Sequence, residues 1–308
     1  DSHSLPWSDL LLARFAELQA YPIYEVLPHL LASSGTDSLE HRCTFWQTVS
    51  TLYRESFVER LETFCQKRGW KLLFVEDSNV CEPISYRDLA GASAGLECDF
   101  QFALWNKISA AACLGSGETA AEISGRSGDG WDLSPATILS TVQRAASAGI
   151  TCFIPHSAVY SLEGSRKRHV KSAQSYQSTF WPWYRQVSDY MARTAWLFSQ
   201  ARRVPSVLVM HPTVTLRATY SLSEKCHSRP GDSAIHLVAR VATLLWRRGI
   251  SFQIVTEEML HSLAVGEGGI ILPGESVEPG RRVSWLVLPG AEVISQETEQ
   301  FIARCLEE

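Results

Sequence analysis

The chain alternates between amphipathic helical segments and short apolar runs that end in polar residues. From residue 38 to residue 68 the apolar positions, Phe45, Val49 and Leu52 among them, recur at about 3.6-residue intervals. We therefore predict a long helix that ends at Gly69. The segment that follows, "WKLLFVED", is typical of a buried strand with polar residues at its carboxyl end.

The same order of helix and strand repeats along the chain. "FALWNKISAAACLG" predicts a helix, "TAAEIS" a short strand, and "SPATILSTVQRAASAG" a helix with Ser134 as N-cap and Gly149 after its end. "ITCFIPHSAVYS" then predicts another strand. Such alternation indicates a parallel sheet covered by helices, in which chemistry gathers in the loops that follow the strands. The polar residues expected at these strand ends are Glu76, Asp77, Glu122 and His156.

A second unit is predicted from about residue 202. The patterns indicate strands in "VPSVLVMHP", "ISFQIVT" and "VSWLVLPG", an apolar run in "GGIILPG", and helices in "SAIHLVARVATLLWRRG" and "SQETEQFIARCLEE". This is the pattern of a small doubly wound α/β domain. Because it stops on a helix where a parallel sheet should continue, we expect the domain to be incomplete in this chain.

Composition and charge exclude several classes. The chain has 308 residues, of which 45% are hydrophobic and 20% charged, and its net charge is −5, so we expect no nucleic-acid partner. No apolar run approaches the roughly 18 residues of a membrane span, so no membrane insertion is expected.

The eight cysteines form no C-x-x-C pair and predict neither a disulfide framework nor a metal site. Without a signal peptide in the printed sequence, the localisation stays open.

The glycine-rich segment that holds Glu122 and Trp131 is the first candidate for chemistry. A carboxylate at the carboxyl end of a strand, beside an apolar wall, can keep its proton at neutral pH and act as a general acid in glycoside cleavage. The alternative is that Glu122 and Glu118 are solvated loop acids.

Two further features are suited to sugar binding. His156 follows an apolar strand and could hydrogen-bond a sugar hydroxyl, or it could be satisfied by the backbone at the edge of a core. Trp181 and Trp183 belong to the aromatic segment "FWPWYRQVSDY", and they could stack on a pyranose or pack before a helix. Dinucleotide, P-loop and nucleophile-elbow motifs do not occur in the sequence, so those functions have no support.

The ordered series "FWQTVSTLYRESFVERLETFCQKRGWKLLFVED", "LGSGETAAEISGRSGDGWDLSPATI", "AGITCFIPHSAVYS" and "FWPWYRQVSDYMARTAWLFSQA" resembles the large α-L-rhamnosidase-type glycoside hydrolases of bacteria and fungi. The resemblance implies an α/β chain with a partial (β/α)₈ catalytic barrel of the TIM type over residues 1–200. An incomplete flavodoxin-like, doubly wound domain would follow over residues 201–308. It also implies a carbohydrate substrate, a rhamnoside-like or galactoside-like glycan.

Carried over by position, the resemblance implies that Glu122 is a catalytic acid and that His156, Trp131, Trp181 and Trp183 line the sugar pocket. For the second carboxylate we select Glu76, with Asp77 and Asp99 as the next candidates; Asp77 is also expected to bind substrate. No cofactor is expected, and Ca²⁺ is implied by the resemblance alone.

The chain also departs from the family pattern. At the place of the acidic segment that usually precedes the first helix stands "DSHSLPWSD". The glutamate of that segment is missing or lies upstream of this chain, where it would be an alternative second carboxylate, and the earlier barrel strands are absent. We therefore expect a fragment, or a shortened relative, that self-associates through unpaired sheet edges. Two alternatives stay open: a non-catalytic or degenerate carbohydrate-binding homologue, and an unrelated α/β protein that binds a small ligand.

Overall fold

The chain is a mixed α/β protein, and its described residues form many helices and three small sheets. The computed structural model describes residues 5–31, 36–70, 91–94, 120–123, 133–155, 158, 160–166, 174–200, 205–220, 230–272 and 282–308. No helix among the described residues is long and apolar enough to cross a membrane.

The amino-terminal region consists of helices. They are α1 (Asp9–Gln19), α2 (Leu27–Leu31), α3 (Thr36–Tyr53) and α4 (Glu59–Gln66). A π-helical turn joins α3 to α4, so the long helix predicted over residues 38–68 is confirmed as one helical stretch with a local irregularity. The Oγ of Ser8 caps α1 by accepting a hydrogen bond from the Leu11 backbone N–H.

The first sheet has three parallel strands in the order β1 (Gly91–Ala94), β2 (Ala120–Ile123) and β3 (Cys152–Pro155). Helix α5 (Pro135–Ser147) connects β2 to β3, and helix α6 (Tyr184–Ser199) follows β3. The predicted cap of α5 is confirmed, because Ser134 Oγ accepts a hydrogen bond from Thr137 N–H and Pro135 begins the helix.

The second sheet is also parallel. Its strands are β4 (Val207–Met210), β5 (Phe252–Val255) and β9 (Trp285–Val287), in the order β5-β4-β9. Around it lie α7 (Thr213–Thr219), α8 (Pro230–Arg247), α9 (Glu257–His261) and α10 (Gln296–Glu307). All four residues of β4 are buried, as expected for a strand covered on both faces.

Successive residues of β4 belong to two different hydrophobic cores. Val207 and Val209 share a core with β5 and with helices α5, α6 and α8, whereas Leu208 and Met210 lie in a second core with Phe301 of α10. The first of these cores also contains Ile123 of β2. The core therefore continues across residue 200, the boundary that the sequence suggested.

The third sheet differs from what the sequence predicted. The apolar run "GGIILPG" was counted only as part of a doubly wound α/β pattern. In the structure it contains strand β7 (Gly269–Ile271), which pairs antiparallel with β6 (Ala264–Gly266) and with β8 (Arg282–Val283). Only Glu267 and Gly268 separate β6 from β7, and so short a connection joins antiparallel strands. Gly268, with φ of 87°, supplies the left-handed backbone of the turn.

The described strands are parallel in the two sheets where the sequence predicted parallel sheets. The partial (β/α)₈ barrel over residues 1–200 and the incomplete flavodoxin-like domain over residues 201–308 stay predictions. The general class, an α/β chain with helices packed on small sheets, is confirmed.

Candidate functional site

The backbone of β2 brings Glu122 to the middle strand of the first sheet. In the parallel register, Glu122 is paired with Ser93 of β1 and with Ile154 of β3. It is the last residue but one of β2, so it lies close to the carboxyl end of the sheet. Chemistry in parallel α/β sheets is concentrated at that end.

The next residue, Ile123, is anchored in the core. It is fully buried, and Phe153 of the neighbouring strand packs against the same core, which also includes Ile138 and Val142 of α5. Ile154, the register partner of Glu122, is half-buried. The end of β2 is therefore held firmly against α5.

An aromatic cluster, defined as Phe180, Trp181, Trp183 and Tyr184, precedes and begins α6. The rings of Trp181 and Tyr184 stack with centroids 5.1 Å apart and an angle of 25° between their planes. Phe180 also stacks on Tyr184, and both pack against the core. Trp181 and Trp183 remain 42% and 61% exposed, so part of each indole is accessible to a ligand.

A buried glutamine connects the aromatic cluster to the end of β2. Gln174 is 6% exposed, and its Oε1 accepts a hydrogen bond of 3.0 Å from the Tyr184 hydroxyl. Its Nε2 lies 3.5 Å from the carbonyl oxygen of Ile123 and donates to it. Burial raises the pKa of Tyr184, so the phenol keeps the proton that it donates. These contacts bring the aromatic cluster beside the strand that carries Glu122.

The carboxyl end of the second sheet also carries polar residues, which the sequence analysis missed. Glu257 follows β5 after one intervening residue, Thr256, and is buried. Its carboxylate accepts hydrogen bonds from Val214 N–H at 3.3 Å, Ser295 N–H at 3.0 Å and the Thr298 hydroxyl at 2.8 Å. Glu257 therefore holds the starts of α7 and α10 together.

His211 follows β4 in the same region. It is buried, and its Nδ1 lies 2.9 Å from Thr213 Oγ1. Burial, with a further contribution from the positive charge of Arg217, lowers the pKa of His211 to about 3, so the ring is neutral at physiological pH. Arg217 is buried too, and it pairs with Glu258 at 3.3 Å and donates to Ser50 Oγ at 3.2 Å.

The contacts at this second sheet end are made by the chain itself. The Thr215 hydroxyl, for example, donates to the Val293 carbonyl and accepts from the backbone N–H groups of Glu292 and Val293. Polar residues at the ends of apolar strands were the signal that selected Glu122 and His156. The same signal was present for His211, which directly follows β4, and for Glu257, two residues after the end of β5. At the second sheet end these residues stabilise the fold.

Several predicted site residues cannot be placed. They lie outside the described residues, and they are Glu76, Asp77, Asp99, Trp131 and His156. Within the part of the chain that the structure describes, no group of three or more His, Cys, Asp or Glu side chains could hold a metal ion.

Comparisons with known proteins connect this chain to glycosidases at a distance. No family model matches the sequence. Over 305 residues, 95% of this chain, the sequence is 23% identical to a "Putative beta-glucuronidase" of Formosa agariphila, of which the match covers 24%. The fold is similar to that of a rhamnosidase from Novosphingobium sp. PP1Y, with a TM-score of 0.63 and 14% identity.

The structural match covers 96% of this chain and 28% of the rhamnosidase. The chain thus spans about a quarter of the length of each of these two proteins. Together the two similarities support a distant glycoside-hydrolase-like relationship, and they leave the substrate and the catalytic residues unassigned.

Proposed function

We propose that this chain forms part of a glycoside hydrolase whose general acid is Glu122. The observation that carries this proposal is the backbone position of Glu122, which lies near the carboxyl end of a parallel sheet and beside an exposed aromatic cluster. A glycosidase needs both features, since an acid must protonate the leaving oxygen and aromatic faces hold the sugar ring. The proposed fold around it is a partial (β/α)₈ barrel followed by a flavodoxin-like domain.

The reaction requires a second carboxylate. We assign this role to Glu76, with Asp77 and Asp99 as the next candidates. It would attack the anomeric carbon if it lies about 5 to 5.5 Å from Glu122, or activate a water molecule if the separation is about 6.5 to 9.5 Å. In both cases Glu122 first donates its proton to the glycosidic oxygen as the bond to the anomeric carbon breaks.

The sugar-binding residues of the proposal are Trp181, Trp183, Trp131, His156 and Asp77. The exposed indole faces of Trp181 and Trp183 suit the apolar side of a pyranose ring. We propose rhamnosides or galactosides as substrates. Glucuronides are a further candidate, because the similar protein of Formosa agariphila is named "Putative beta-glucuronidase". We also propose that the chain self-associates through sheet edges, which analytical ultracentrifugation would detect.

The proposal is tested with a panel of aryl glycosides that includes α-L-rhamnoside, β-D-galactoside and β-D-glucuronide. We expect the wild-type chain to hydrolyse at least one of them and Glu122→Gln to be about 10³-fold slower. Glu118→Gln is the matched control, because this acid precedes Glu122 by four residues, and it should keep the wild-type rate. Equal loss in both variants would contradict the assignment.

A folded wild-type chain that binds sugar without hydrolysing any glycoside would instead identify a carbohydrate-binding relative. The exposed indoles of the aromatic cluster favour this second candidate function, because sugar binding needs them and does not need a second carboxylate. Isothermal titration with the free monosaccharides separates the two outcomes.

A further inference from the structure

The structure gives Gln174 an unusual place between two parts of the proposed site. On one side its amide oxygen accepts the Tyr184 hydroxyl at 3.0 Å, and on the other its Nε2 lies 3.5 Å from the Ile123 carbonyl oxygen. Ile123 directly follows Glu122 in β2. One buried amide therefore joins an aromatic ring to the residue next to the proposed acid.

The position of Tyr184 in turn determines the position of Trp181. Their rings are stacked at 5.1 Å, and Tyr184 is also stacked on Phe180 at 6.2 Å. Tyr184 packs against the hydrophobic core, whereas Trp181 keeps 42% of its surface exposed. Displacement of the Tyr184 ring would consequently displace the indole face that is accessible to sugar.

The segment between Gln174 and the aromatic cluster is held by local hydrogen bonds. Ser175 is buried, its carbonyl oxygen accepts from both the N–H and the hydroxyl of Ser178, and its own hydroxyl donates to Gln177. The backbone N–H of Trp181 then donates to the carbonyl oxygen of Ser178. Because the segment is constrained in this way, the contact between Gln174 and Ile123 fixes the position of the whole segment relative to β2.

We propose that Gln174 and Tyr184 are positioning residues that set the separation between the sugar-binding face of Trp181 and the strand end that carries Glu122. This inference rests on the proposed function. The two residues contact neither the sugar nor the reacting atoms. They should therefore control kcat, whereas the affinity for sugar depends on Trp181, and a displacement of about 1 Å in a catalytic site can lower the rate about 10²-fold.

The experiment compares Tyr184→Phe, Gln174→Leu and the double variant with the wild-type chain. Tyr184→Phe removes the hydroxyl and keeps the stacked ring, and Gln174→Leu removes both polar contacts at a similar volume. Tyr176→Phe is the control, because Tyr176 belongs to the same segment and is 66% exposed, and its hydroxyl accepts from Gln177 Nε2 at 3.2 Å.

We expect kcat to fall about tenfold in Tyr184→Phe and about a hundredfold in Gln174→Leu. The Kd for the free monosaccharide should stay within about twofold of the wild-type value. Since both substitutions break one connection, the double variant should be no more than about twofold slower than Gln174→Leu. Tyr176→Phe should match the wild type in every measurement.

Three results would overturn the inference and leave the proposed function intact. In the first, kcat and sugar affinity fall together, in parallel with thermal stability. In the second the losses of kcat in the double variant are additive, and in the third kcat is unchanged. A wild-type chain without glycosidase activity would overturn the proposed function and the inference with it. The wild-type rate on the glycoside panel separates these cases.

Discussion

The described part of the chain includes two three-stranded parallel sheets whose carboxyl ends differ. At the second sheet, the residues that follow β4 and β5 are buried and bonded to one another, with Glu257 bridging two helix starts and His211 held neutral. At the first sheet, Glu122 is the last residue but one of the middle strand. Trp181 and Trp183, in the aromatic cluster that is connected to this strand, are partly exposed. Similar strands therefore support two different uses, one for stability and one for the proposed chemistry.

This contrast shows what a polar residue at a strand end means. The motif alone, an apolar run followed by an acid or histidine, occurs at both sheets. At the second sheet the chain itself satisfies the carboxylate of Glu257. What distinguishes the first sheet, among the described residues, is the partly exposed aromatic cluster next to it. A carboxylate that accepts hydrogen bonds from its own backbone is a structural device, whereas exposed aromatic surface beside a strand end is available for a ligand.

The largest expected effect comes from exchanging one carboxylate for an amide at each sheet end. Glu122→Gln should slow hydrolysis about 10³-fold, about 4 kcal/mol in activation free energy, and change the free energy of unfolding by less than about 0.5 kcal/mol. Glu257→Gln should lower the free energy of unfolding by about 2 to 4 kcal/mol. The new glutamine side chain would place its NH₂ group against the backbone N–H donors that the carboxylate accepts from.

In Glu257→Gln, kcat per folded molecule should be the same as in the wild-type chain. Urea denaturation and the glycoside assay measure the two quantities separately. If Glu257→Gln lost activity while folded, or if Glu122→Gln were the less stable variant, the two ends of the molecule would not have separate roles.

A glycine near the second sheet should show the next largest effect. Gly290 has φ of +65°, and a Cβ there would lie 2.5 Å from Ala234 Cα of α8. Gly290→Ala should lower the free energy of unfolding by about 3 kcal/mol, since backbone strain and the clash add. Gly249→Ala is the control: it has φ of +67° with nothing within 4 Å, and should lose only about 1 kcal/mol. Equal losses would show that the close approach to α8 contributes nothing.

His211 makes the second sheet sensitive to acid. Its pKa is about 3 in the folded chain and near 6.5 when exposed, so below pH 6.5 the unfolded state binds a proton that the folded state does not. Stability therefore falls as the pH falls from about 6.5 towards 3, and at pH 5 the contribution is about 2 kcal/mol.

The measurement is urea denaturation at pH 7 and pH 5. The loss of stability between these values should be about 2 kcal/mol smaller in His211→Gln than in the wild type. His236→Gln, at an exposed position of α8, should behave as the wild type. An identical pH dependence in His211→Gln would show that this histidine does not stay neutral in the folded chain.

The smallest predicted effect concerns the aromatic cluster. Trp181→Ala should weaken monosaccharide binding by about 1 kcal/mol, about fivefold in Kd, because one stacking face is lost. Trp196→Ala removes an equally large indole that is 66% exposed on α6, and its Kd should be unchanged. Titration calorimetry would measure both variants, and equal weakening would place the sugar elsewhere.

The sequence predicted local elements better than their arrangement. Ser134 and Pro135 identified the start of α5, and Ser295 that of α10, because capping is a local interaction. The antiparallel β6–β7 pair was not predicted, since the two-residue turn at Glu267 and Gly268 lies between apolar runs too short to show strand alternation.

The candidate site was predictable only in part. A strand end at Glu122 followed from the pattern of "TAAEIS" and is present in the structure. Gln174 gave no signal, because a lone glutamine before an aromatic segment acquires its role only when folding brings it to Ile123, a residue distant in sequence. Long-range hydrogen bonds of this kind cannot be deduced from periodicity or local motifs.

The most direct test of the central claim is hydrogen–deuterium exchange of the wild-type chain with and without L-rhamnose, D-galactose or D-glucuronate. The account predicts that the bound sugar slows exchange at residues 120–123 and 180–184. Exchange at residues 211–217 and 290–298, which surround the second sheet end, should not change. Protection confined to the second set of residues would contradict the claim that the first sheet end is the sugar site.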